Sequence, residues 1–172
     1  MGRVNKHYRK EIILIREMFY HDQKAVPAIY SAKTAMTTGM GVQVDFTKNE
    51  VAVPSADDTV DGIFFVDHEF SPEGLKASLT NIDDYDEDAV AIKEGELVKL
   101  IAPEVGEMYG TDQYVAIDVA EKNKGKRMAV GTDGKWKLAT TAASRFVLAD
   151  VQKDGVHTLA WISVAPEAKT NA

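Results

Sequence analysis

From residue 42 onward the apolar residues recur with a period of two, and this pattern constrains the fold more than any other feature of the chain. Val42, Val44 and Phe46 alternate with Gln43 and Asp45, Thr47-Lys48-Asn49-Glu50 reads as a turn, and Val51-Ala52-Val53 runs to Pro54. Successive side chains of a strand point to opposite faces, so this is the pattern of a half-buried hairpin. Gly62-Ile63-Phe64-Phe65-Val66 is a short unbroken apolar run that suits a buried strand. Ala89-Val90-Ala91-Ile92, the Lys93-Glu94-Gly95-Glu96 turn and Leu97-Val98-Lys99-Leu100-Ile101 read as a second hairpin. Turn signals at Gly110 and Asp112 set off a strand over 113–119.

The clearest hairpin joins Arg127 to Val130 with Lys135 to Leu138, because Asp133-Gly134 between them supplies the positive φ angles of a tight turn. Arg145 to Val151 and His157 to Val164 form a last pair, turning at Asp154-Gly155, and residues 165–172 read as a flexible tail. About eight short strands at this spacing predict a mainly β fold, a small antiparallel β-barrel or sandwich, with an extended N-terminal arm. The expected division is an arm over 1–40, a β-rich body over 41–164 and the tail.

The first 23 residues admit two readings. Tyr8, Ile12, Ile15 and Phe19 lie at helical spacing, whereas the β-branched content of 12–15 favours a strand. Pro27 ends any helix near residue 26. Charge is distributed unevenly: residues 1–33 hold seven Lys/Arg against three acids, a balance of +4, and the remainder balances at -11. A basic arm on an acidic body fits docking onto an acidic neighbour, a second copy included, and equally fits a solvated terminus. On the docking reading the contact residues are Arg3, Lys6, Tyr8, Arg9, Lys10 and Arg16, with Trp136 as a candidate for interface or core.

Residues 42–67 and 127–150 share a plan of strand, turn beginning at Thr, strand, polar connector and apolar strand ending in Asp. Thr47 to Val51 matches Thr132 to Trp136 at an offset of 85, and Ile63 to Asp67 matches Phe146 to Asp150 after a gap of two. A duplicated three-strand unit and two ordinary meanders with similar turns both fit; few residues are identical, which favours the meanders.

Catalytic chemistry finds little to stand on. The chain has 172 residues, enough to bury about two-thirds of its unfolded surface, and no cysteine, which excludes disulfides, thiolate metal sites and thiol nucleophiles. None of His7, His21, His68 and His157 accompanies a Gly-x-Ser-x-Gly elbow. In Asp67-His68-Glu69 the histidine faces away from both acids if the strand continues. Asp83, Asp84, Asp86, Glu87 and Asp88 offer calcium-type oxygens without the spacing of an EF-hand, and Asp57, Asp58 and Asp61 are a weaker set; solvated acidic loops fit both better. Phosphate-binding glycine motifs are lacking, and the acidic body opposes nucleic acid. No apolar run nears the roughly 20 residues of a membrane span, and no secretory leader is evident, so synthesis in the cytoplasm is expected. The expectation is a protein that is not an enzyme and takes no cofactor or metal.

The body resembles the small β-rich capsid decoration (cement) proteins, or head auxiliary proteins, of tailed bacteriophages. The resemblance is one of texture, over residues 41 to about 164. It is carried by Gly41-Val42-Gln43-Val44-Asp45-Phe46, Val51-Ala52-Val53-Pro54-Ser55-Ala56-Asp57-Asp58, Asp61-Gly62-Ile63-Phe64-Phe65-Val66 and Leu138-Ala139-Thr140-Thr141-Ala142-Ala143. It implies a virion protein that binds the outside of an assembled head and bridges neighbouring capsomers. The implied partners are the major capsid protein or other virion proteins and further copies of the chain, with no membrane and no nucleic acid. Two alternatives stand beside it: another virion component (a head fibre base, tail or baseplate adaptor), or a small carbohydrate-binding module or hydrolase using Asp67, His68 and the tryptophans.

Overall fold

A computed structural model describes residues 13–15, 25–67, 91–154 and 157–171. Among them are eleven strands: β1 Ile13–Ile15, β2 Ala25–Ala32, β3 Gly41–Asp45, β4 Glu50–Ala52, β5 Ile63–Val66, β6 Leu97–Ile101, β7 Met108–Thr111, β8 Met128–Val130, β9 Trp136–Leu138, β10 Ser144–Asp154 and β11 His157–Lys169. The only helix among these residues is a single 3-10 turn, Glu121–Asn123. The chain is mainly β, as its alternation predicts, and it contains a closed five-stranded barrel.

The barrel runs in the order β2-β4-β3-β5-β6. The β3–β4 hairpin pairs Val44 with Val51, β3 pairs with β5 through Val42 and Phe64, and β5 pairs with β6 through Val66 and Leu100. β6 pairs antiparallel with β2, placing Tyr30 opposite Val98. Closure comes from a parallel pairing of β2 with β4, Ser31 with Glu50 and Ala32 with Val51. Inward-facing side chains fill the interior: Tyr30, Val42, Val51, Val66, Val98 and Leu100 are buried, with Met36 and Ile92 closing one end.

The second half of the chain repeats this plan, strand for strand. β8 and β9 form the hairpin, Val130 opposite Trp136, and β8 reaches β10 through a bridge between Arg127 and Val147. β10 pairs with β11, β11 pairs with β7, and β7 leads into a parallel bridge between Tyr114 and Trp136. That bridge is the counterpart of the parallel closure of the barrel: Val115 N donates to Trp136 O at 2.8 Å, as Lys33 N donates to Val51 O at 2.8 Å. The favoured reading of two ordinary meanders is therefore corrected, because a meander is built of antiparallel neighbours and does not generate a matching parallel closure. The ladders also move one match: with Arg127 opposite Val147, the counterpart of Phe146 is Phe64, which faces Val42 in the barrel, rather than Ile63.

The apolar run at β5 is buried on both sides. Phe64 and Val66 face the barrel, whereas Ile63 and Phe65, with Ile101 of β6, project from its outer face into the core of the second unit. There Phe65 stacks between Tyr109 and Trp136, at ring-centroid distances of 4.4 and 4.7 Å, and meets Phe146 edge-on. Burial on both faces is why this strand reads as a run instead of an alternation.

Several boundaries differ from the sequence reading. Residues 25–32, assigned to the arm, are a stave of the barrel, and of residues 1–23 only 13–15 are described, as a strand. The expected tail is ordered: β11 continues to Lys169, which pairs with Ser144. The strand expected over 113–119 lies instead at 108–111, and Ile92 bridges Met36 rather than pairing with β6. Asp133 does not share the positive φ of Gly134 (+76°); a turn closed by Gly134 N to Gly131 O at 3.0 Å precedes the left-handed glycine. This is a longer hairpin loop with a glycine bulge, and the two-residue turn is not formed.

Candidate interaction surface

The closed barrel leaves part of its outer face bare. Tyr30 and Val98 face each other inside, so their chain neighbours Ile29 and Leu97 point outward, and these are 60% and 59% exposed. The same outer face of β6 is covered at its other end, where Ile101 is buried by the second unit. Phe46, at the β3–β4 turn, rests edge-on against Tyr30 with ring centroids 6.0 Å apart, yet is 66% exposed. Three large apolar side chains are thus presented by elements at one end of the barrel. Lys99 between Leu97 and Ile101 is the sequence signal for the outward parity of β6, and through the register for β2.

The second feature is an edge. β1 adds antiparallel to β7, Leu14 opposite Tyr109, and becomes the outer strand of the sheet β1-β7-β11-β10. A segment far in sequence from β7 therefore attaches by main-chain hydrogen bonding, the mode by which strands add to exposed sheet edges.

The individual residues named from the sequence fare differently. Arg3, Lys6, Tyr8, Arg9, Lys10 and Arg16 lie outside the described residues, as do His68, Glu69 and the acidic stretch 81–88. Trp136 is corrected from interface to core: it is fully buried between Phe65 and Phe146, and its indole N–H donates to Gly39 O at 3.2 Å. Trp161 is core as expected, its ring packed over Gly110 and its N–H donating to Gln152 Oε1 at 2.9 Å. Asp67 is held by Lys99 at 3.0 Å.

The acids at 57, 58 and 61 do not converge on a cation. Asp57 pairs with Lys137, and the backbone carbonyl of Asp61 accepts from Gln43 Nε2. Asp58, in a left-handed conformation at φ +62°, turns its carboxylate onto the connector after β9. It accepts from the backbone N–H groups of Thr140 (2.8 Å), Thr141 (2.8 Å) and Ala142 (3.0 Å) and from both threonine hydroxyls. Burial alone would raise the Asp58 pKa, but the amides of Thr141, Ala142 and Thr140 and the Thr140 hydroxyl outweigh it and hold the carboxyl well below the usual carboxylate range. Asp58 is thus an anchor between the two units; its lone pairs are already directed at protein donors. Among the described residues no group of three or more His, Asp or Glu side chains is placed to hold a metal ion.

No protein-family model, no curated protein and no solved structure matches this chain.

Proposed function

We propose that this chain is a structural protein of a virus particle, one that binds the outer surface of an assembled capsid and bridges neighbouring capsomers, and that it acts by surface fit and not by catalysis. The observation that carries the reading is the bare outer face of the barrel, where Ile29 and Leu97 stand exposed on adjacent paired strands. Apolar side chains held on a rigid sheet lose little freedom on docking, which makes them efficient anchors. The basic balance of the first 33 residues against an acidic remainder adds electrostatic steering and favours one docking orientation. Repetition over many identical capsomers then turns modest contacts into stable attachment. The likeness in texture to phage decoration proteins supports the same reading.

The test is cosedimentation of the purified chain with empty capsids assembled from the major capsid protein of the virus that carries it. Saturable binding at a fixed ratio to capsomers is the expected result, and Leu97→Asp should weaken it by tenfold or more, about the value of one central apolar anchor. Failure of the intact chain to sediment with capsids at any concentration would overturn the proposal.

A further inference from the structure

The contact between the two units is not reciprocal, and what it leaves over defines a second interface. The β8–β9 turn of the second unit docks on the barrel: Gly134 O accepts from Gly41 N at 2.9 Å, and Gly134 lies against Val53 and Met40. Thr59 and Val130 exchange backbone bonds of 3.0 and 2.8 Å beside it. The corresponding turn of the barrel, β3–β4, does not return the contact. It carries exposed Phe46 and has the same left-handed residue at the matching place, Asn49 at φ +55° for Gly134 at +76°.

Strand equivalence also locates the matching receiving site on the second unit. The register of β3 on β8 makes Arg127 the counterpart of Gly41, and that of β4 on β9 makes Leu138 the counterpart of Val53. Gly41 N is bonded to the Gly134 carbonyl; Arg127 N is bonded to a carbonyl too, the side-chain Oδ1 of Asn171, at 2.6 Å. The Asn171 amide completes the clasp by donating to Arg127 O at 3.0 Å and Ala139 O at 2.7 Å. Asn171 thus stands where the turn of a following unit would place its carbonyl.

We infer that copies of this chain associate head to tail, the β3–β4 turn of one copy, with Phe46, seating on the Arg127–Leu138 site of the next and displacing Asn171. The interface within the chain is the template for the one between chains, so the contact is heterologous and propagates into a ring or an open chain. Asn49 O already accepts from Ser31 N at 3.0 Å and keeps a second lone pair for Arg127 N. Asn171 acts as a competing cap that keeps the free protein dispersed. This inference stands apart from capsid binding, since its test uses the purified chain alone and either can fail without the other.

Sedimentation equilibrium of the intact chain, Asn171→Ala, Phe46→Asp and the double variant decides it. Removing the cap should strengthen association about tenfold, the value of one or two released hydrogen bonds, and Phe46→Asp should return the double variant to the level of the intact chain. Asn171→Ala that folds with an unchanged melting curve and associates no more than the intact chain overturns the inference, as does association indifferent to Phe46→Asp. If Asn171→Ala does not fold, the intact chain is compared with Phe46→Asp at high concentration. Weaker association of the variant supports the interface, and equal association overturns it.

Discussion

Phe65 is the largest of the side chains that the first unit places in the core of the second. It leaves the outer face of one unit and enters the core of the other between two aromatic rings, so its loss removes contacts on both of its faces. Phe65→Ala should lower stability by about 3–5 kcal/mol, as for other fully buried rings, read from urea unfolding; a loss below about 1 kcal/mol would show that the stack is not formed. Asp58 is the polar counterpart of this joint. Asp58→Asn retains the left-handed preference but loses charge-assisted bonds to the 140–142 connector, and should cost about 1–3 kcal/mol at neutral pH. Because the folded-state pKa is depressed, the carboxylate contributes fully above the unfolded value of about 4 and progressively less as pH falls towards the folded one. The gap between the two proteins should therefore narrow below about pH 4, and a gap constant with pH would contradict the anchor.

At the level of elements, what was legible in the sequence was whatever is local. The β3–β4, β8–β9 and β10–β11 hairpins could be read because alternation and turn residues lie side by side in the chain. β7 lies at 108–111 and not over 113–119 because Gly110, which reads as a turn residue, makes room for a ring: a Cβ at this position would lie 2.7 Å from Trp161. β2 is hard to read locally because a proline carries no N–H for a ladder, and the pairing with β6 shifts register between Val26 and Tyr30. The parallel closures, and the outward aim of Ile29, depend on pairings between distant segments that no local pattern encodes. The sequence-derived site was correspondingly incomplete: Trp136 is a large side chain after a turn, and only tertiary packing decides that it faces inward. Gly134 tests the hairpin geometry. Gly134→Val combines a left-handed backbone with a Cβ 3.0 Å from Val53, and should lower stability by about 1–2 kcal/mol or more; an unchanged melting temperature would refute the docked turn.

For the whole molecule, the plan is one five-stranded unit used twice, the first closed upon itself and the second receiving Phe65 from its partner unit. Such a body offers rigid faces, and β1 lies on the edge of β7. On the capsid-binding proposal, removal of residues 1–24 should leave the barrel folded, with only the β1–β7 pairing lost from the sheet, while weakening capsid binding, most strongly at low salt, where the basic balance acts over the longest range. Equal capsid affinity with and without the segment would assign attachment to the barrel face alone.

Hydrogen exchange on the capsid-bound protein tests the central claim most directly, because it reports which backbone segments a partner covers. The account predicts added protection at β2 and β6, around Ile29 and Leu97, with the β8–β9 hairpin at the unit joint unchanged. Bound protein whose β2 and β6 exchange as fast as in solution would contradict it.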